Sequence, residues 1–117
     1  MKGDDLYLRH ILECINRIEQ DVIGGREQFL ASHMAQDAVL RNLQTLGEST
    51  QRLSEQAKAT QPKIEWRRIA AFRNLLVHNY LGIDLNIVWD ILQRDVPRLK
   101  QAVQAMYDDL PAEGRDD

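Results

Sequence analysis

Apolar residues recur at three- and four-residue spacing along almost the whole of this chain, and no stretch alternates apolar and polar as a half-buried strand does. That pattern restricts the chain to helices, each with an apolar stripe that needs a partner. Leu6, Ile11, Leu12, Ile15, Ile18 and Val22 predict a first helix from Asp4 to Val22. Asp4 and Asp5 suit its N-terminal end electrostatically, and Gly24-Gly25 stops it. A short helix from Arg26 to Ala31 should tuck Phe29 and Leu30 inward. Ala38, Val39, Leu43, Leu46 and Leu53 predict a second long helix from Met34 or Ala35 to Ala57, with Asp37 and Arg41 as a favourable surface pair at i,i+4. Gly47 within it marks a close approach by a neighbouring helix.

Pro62 precedes or opens a third helix, predicted to run to Tyr80 and to end at Leu81-Gly82. Asp84 caps a fourth, beginning at Leu85 and carrying Ile87, Val88, Ile91, Leu92, Val96 and Leu99. Pro97 is expected to kink or restart it. Long helices joined by short breaks predict an all-α, antiparallel up-and-down bundle of four main helices plus a short one. Residues 1–110 form the expected single domain and 111–117 a polar tail.

The chain has 117 residues, with net charge −3 and one cysteine, Cys14, which has no partner for an internal disulfide and reads as a small core hydrophobe. No apolar run reaches membrane-spanning length and no signal-peptide pattern opens the chain, so no membrane association and a cytoplasmic location are expected. The charge is uneven. Residues 61–80 carry 4 basic and 1 acidic group, whereas 81–117 carry 4 basic and 8 acidic. A local positive site on an acidic body admits a phosphate while discouraging indiscriminate nucleic-acid binding, although a solvated basic helix face gives the same count.

That basic segment contains Arg73-Asn-Leu-Leu-Val-His78-Asn-Tyr80. A permanently charged guanidinium, an amide, an imidazole that titrates near neutrality and a phenol suit binding a phosphate and moving a proton beside it. On an ideal helix Arg73 and His78 diverge by about 140°, so a single copy shares one phosphate between them poorly. Two copies facing each other across a two-fold axis would do better, which makes a homodimer part of the expectation. His10, His33 and His78 stand on separate segments without ligand spacing, so no metal and no cofactor are expected. His10 and His33 read as surface residues.

Three blocks together resemble the HepT-like toxins of the HEPN superfamily: Asp37 to Glu48, Trp66 to Tyr80, and Gly82 to Trp89. The resemblance spans almost the whole chain, and Arg73, Asn74 and His78 match the family's Arg–polar–x3–His pattern without departure. It implies a metal-independent endoribonuclease with its cleft between two protomers of a homodimer or higher homo-oligomer. RNA, tRNA among the candidates, is the implied substrate. Tyr80 matches the residue adenylylated by an MntA-like nucleotidyltransferase antitoxin, which implies a toxin–antitoxin pair.

Under this reading His78 supplies acid–base catalysis and Arg73 stabilises phosphorane charge, while Asn74 orients the imidazole or donates to the phosphate. Asp37, Arg41 and Glu48 fall on one side of the second helix, as a structural network first and a support of the cleft second. The alternative function is a non-catalytic helical partner of a nucleotidyltransferase, binding a nucleotide with the same residues.

Overall fold

The computed structural model describes residues 3–74 and 84–111, and these are helical with short breaks and no strand among them. In chain order the elements are α1 (Asp4–Asp21), α2 (Arg26–Ala31), α3 (His33–Arg52), α4 (Glu55–Ala59), α5 (Trp66–Ala70), a 3-10 turn (Ala71–Asn74) and α6 (Leu85–Asp108). Together they form the expected helical bundle. α3 is central: α1 lies along it, α2 crosses its start, and α5 with the 3-10 turn packs on its C-terminal half, while α6 closes on α1.

The stripes read from the sequence meet in one core. Ile11, Cys14, Ile15 and Ile18 of α1 are buried with Val39, Leu43 and Leu46 of α3 and with Val88, Leu99 and Val103 of α6. Phe29 joins them, its ring centroid 5.6 Å from that of Trp89. Leu6 and Ile87 were expected in these stripes, yet they are 52% and 58% exposed. At 100° per residue Leu6 points away from the face that Leu8, Ile11 and Ile15 turn to the core, and Ile87 away from that of Val88, Leu92 and Leu99.

Local chemistry sets the boundaries. Gly25, at φ 90°, turns the chain into α2 in a conformation that a side chain would strain. Ser32 caps α3 by accepting from the Ala35 amide at 3.1 Å, and Asp84 caps α6 by accepting from the Asn86 amide at 2.9 Å. Gln36 Nε2 donates to the carbonyls of Phe29 and Leu30, satisfying the end of α2.

Two expected helices have other bounds, the second at its end and the third at its start; the expected end of the third at Tyr80 and Leu81-Gly82 lies outside the described residues. The second ends at Arg52 rather than Ala57, because Leu53 and Ser54 are extended and Ser54 starts a new helix. The Ser54 hydroxyl accepts from the Ala57 amide at 3.0 Å and donates to Asp4 at 2.7 Å, while Asp4 also accepts from the Ser54 amide at 2.9 Å. A carboxylate fifty residues away thus stabilises the break. The third helix begins at Trp66 rather than Pro62, since residues 61–64 form a turn against which the Trp66 indole donates to the carbonyls of Lys58 and Gln61. Pro97, expected to kink or restart α6, sits within a continuous helix; its ring is exposed, and Val96 and Leu99 beside it stay buried.

The tightest contact lies where the 3-10 turn crosses α3. A Cβ on Gly47 would sit 2.8 Å from the Arg73 backbone nitrogen, 3.1 Å from the Ile69 carbonyl oxygen and 3.2 Å from that of Ala70. All three are backbone atoms, so the two elements touch main chain to main chain, as the glycine suggested. Ile69 and Phe72 anchor the turn in the core on either side.

Gly47→Ala should therefore lower stability in urea denaturation by about 1–3 kcal/mol from overpacking, against a gain of about 1 kcal/mol from helix propensity. A more stable variant would mean that the contact is not this close. Cys14 gives a second test. Burial pushes its thiol pKa up, with Glu13 adding to the rise and Arg17 opposing it. A raised folded-state value holds the proton that the unfolded chain releases above about pH 8.5, so this contribution is intact below that pH and is lost as pH rises further. Cys14→Ala should flatten that alkaline decline in pH-dependent denaturation.

Candidate functional site

Arg73 sits in the 3-10 turn, and its position follows from packing beneath it. Phe72 plunges into the core and Gly47 lets the turn settle onto α3, so Arg73 is carried outward and is exposed. One guanidinium nitrogen, Nη1, donates to Gln51 Oε1 at 2.7 Å. That neutral bond orients the head without neutralising it and leaves donors of the guanidinium fork for an anion. Asn74, the next residue, is half-buried. His78 and Tyr80, the other two members of the motif, lie outside the described residues. The structure thus places Arg73 and Asn74 side by side on one turn.

The turn is 3-10 rather than α, with i→i+3 bonding. Residues advance about 120° each there instead of 100°, so ideal-helix angles such as the one taken between Arg73 and His78 do not hold across Ala71–Asn74. Trp66, one α-helical heptad before Arg73, is half-buried and hydrogen-bonded inward as described above.

Gln51 went unremarked in the sequence, although a signal was there. Asp37, Arg41, Gln44, Glu48 and Gln51 follow one another at intervals of four, three, four and three, which puts them on one strip of α3. Asp37, Arg41, Glu48 and Gln51 are exposed, and Gln44 is half-buried. The strip ends at the residue that holds Arg73. The network expected among Asp37, Arg41 and Glu48 does not form: among the described residues no ion pair joins any of them. Fully solvated charges gain little from pairing and lose side-chain entropy by it.

Beside Gln51 a shallow groove is lined by Glu55, Lys58, Trp66, Arg67 and Ala70. Lys58 is paired with Glu55 at 3.1 Å, whereas Arg67 is exposed, so Arg67 and Arg73 give this side a positive character. Arg68 faces elsewhere and forks onto Asp95 of α6 at 2.9–3.3 Å. The hydrogen bonds to Asp95, then its charge, raise the Arg68 pKa, so this cation serves to tie α5 to α6.

The remaining histidines and the cysteine lie apart from Arg73 in sequence and on α1 and α3. His33 is exposed at the start of α3 and Cys14 is buried. His10 is not the free surface residue expected; it is half-buried, with Nδ1 2.8 Å from the hydroxyl of buried Ser49, and links α1 to α3. No group of three or more His, Cys, Asp or Glu among the described residues is placed to hold a metal ion. No helix among them is long and apolar enough to cross a membrane.

Comparison with known proteins bears on this site. The ribonuclease HepT-like family matches residues 11–106. A protein of Methanocaldococcus jannaschii named as a γ-glutamylcyclotransferase and candidate RNase is 33% identical over 110 residues, which cover 93% of this chain but 50% of that protein. The chain therefore spans half the length of that relative. A protein of Thermococcus cleftensis named a probable ribonuclease HepT is 36% identical over 80% of this chain and 86% of its own. A candidate RNase of Caldanaerobacter subterraneus is 31% identical over 89% of this chain and 94% of its own. No solved structure matches. With the family match running from the core of α1 through the Arg73 turn to the end of α6, this chain belongs to the ribonuclease HepT-like family.

Proposed function

We propose that the protein is a metal-independent endoribonuclease that cleaves RNA, tRNA among its candidates, at a cleft shared by two protomers. The observation that carries this reading is the Arg73 guanidinium, exposed on a rigidly seated turn and held by a neutral amide rather than by a carboxylate. Arg68 is forked onto the Asp95 carboxylate through Nε and Nη2, whereas Arg73 is oriented by a neutral partner that does not offset its charge. Membership of a ribonuclease family and relatives named as RNases support RNA as the substrate.

The chemistry needs three services. A base takes the proton of a ribose 2′-hydroxyl, whose oxygen attacks the adjacent phosphorus. Charge then builds on the phosphorane oxygens, and the P–O5′ bond breaks as the departing oxygen takes up a proton. The products are a 2′,3′-cyclic phosphate and a 5′-hydroxyl. His78 is assigned the proton transfers, since an imidazole near pH 7 populates both protonation states. Arg73 is assigned the phosphorane charge, its planar fork matching two oxygens at once. Asn74, adjacent to Arg73, either orients the imidazole or donates to the phosphate. The exposed Arg67 extends the positive side along the groove and supplies a place for a neighbouring phosphate. Asp37, Arg41 and Glu48 take a supporting place on the strip of α3 that runs to Gln51.

Regulation follows the same electrostatics. Adenylylation of Tyr80 by an MntA-like nucleotidyltransferase antitoxin would set a bulky anion beside Arg73 and occupy the site of the substrate phosphate. In that setting the protein is the toxin of a toxin–antitoxin pair.

Purified protein should cleave RNA in EDTA and leave cyclic-phosphate ends. His78→Ala and Arg73→Ala should each reduce cleavage by roughly 10²-fold or more while remaining folded. Arg73→Lys should recover little, because a point charge does not reproduce the fork. A folded, unmodified protein that binds nucleotide but cleaves no RNA would instead support a non-catalytic partner of a nucleotidyltransferase. Tyr80→Phe should stay active after exposure to the antitoxin and ATP, conditions that silence the parent; equal silencing of both would remove Tyr80 from the scheme.

A further inference from the structure

The exposed strip of α3 carries four charges that find no partner within the described chain. Asp37 and Arg41 are four residues apart, as are Glu48 and Arg52, and both spacings favour pairing along one helix. Yet neither pair is joined, and all four side chains are exposed. Their order along the strip is acid, base, acid, base, with the half-buried Gln44 and Thr45 at its centre.

This order is its own complement when reversed. The midpoint of Arg41 and Glu48 lies between Gln44 and Thr45, and so does the midpoint of Asp37 and Arg52. We propose that α3 docks antiparallel on α3 of a second copy, about a two-fold axis passing at Gln44/Thr45, so that Arg41 of each protomer pairs with Glu48 of the other and Asp37 with Arg52. At a rise of 1.5 Å per residue the inner pairs stand about 5 Å and the outer pairs about 11 Å from the axis, so all four stay within reach when the helices cross at a shallow angle of about 20°. The balanced charge gives the strip no net attraction for RNA phosphates, which favours a protein occupant with the same alternation. A second copy supplies that alternation by symmetry.

The geometry also bears on the composite cleft, whose existence is the reading proposed above and on which this inference builds. A two-fold axis lying in the contact plane, perpendicular to α3, keeps each flank of the helix on its own side. The flank of α3 that carries Gly47 and the 3-10 turn in one protomer then adjoins the same flank in the other. Both Arg73 guanidiniums, each tied to Gln51 at the edge of the strip, come to lie on one side of the helix pair.

The test exchanges charges and reads mass by analytical ultracentrifugation, so that it stands apart from RNA cleavage. The parent chain should be dimeric. Arg41→Glu and Glu48→Arg should each shift toward monomer, with a loss of at least tenfold in dimer affinity and unchanged helical circular dichroism. Mixing the two single variants should restore a dimer, because each then offers the other two opposite-charge pairs, and the double variant Arg41→Glu/Glu48→Arg should dimerise alone. A monomeric parent, single variants that remain dimeric, or single variants that dissociate and do not combine would each overturn the proposal. A dimer that passes these tests but cleaves no RNA would leave this interface standing and overturn the ribonuclease reading.

Discussion

Everything at the candidate site rests on the contact between the backbone of the Ala71–Asn74 turn and the face of α3 at Gly47. With hydrogen in place of a side chain, the Arg73 nitrogen approaches α3 more closely than a Cβ allows, and the carbonyls of Ile69 and Ala70 lie at the tight end of Cβ contacts. This closeness lets Phe72 and Ile69 reach the core and leaves Arg73 pointing out beside Gln51. A long charged side chain is otherwise a poor positioning device, because its rotamer freedom is large. Here the main chain is fixed by packing and the head by a single amide.

The same economy appears elsewhere in the bundle. The Ser54 break is held by Asp4 from the start of α1, and the α5–α6 contact by the Arg68–Asp95 fork. Both are carboxylates satisfied by donors from another element, and both fix where a helix starts or how it lies. Arg73 differs from Arg68 in that its partner is a neutral amide, as is that of Arg26, which donates to Asn86.

Much of this was legible in the residues. Apolar spacing and caps located α1, α2 and the start of α6 to within a residue or two, since an amphipathic stripe and its caps are local properties. Gly47 announced a close approach because a glycine inside a helix is costly without a packing reason. The break at Leu53-Ser54 was missed, and the break read at Pro62 extends to Glu65, because the groups that stabilise these segments, Asp4 and the carbonyls under Trp66, are distant or depend on a turn that local pattern does not reveal. His10 escaped for a similar reason: its partner Ser49 is brought to it only by the packing of α1 on α3.

For the site, the sequence by itself determined the family and nominated the candidate chemical set. Arg73, Asn74, His78 and Tyr80 are candidates by type, order and flanking blocks, which survive without coordinates. Only the tertiary structure decided that Arg73 rides a 3-10 turn, that Gln51 holds it, and that the four charges of α3 stand unpaired on one exposed strip. The reason is physical: residue type fixes what a side chain can do, whereas its neighbours come from helices whose contact depends on buried volume summed over the whole core.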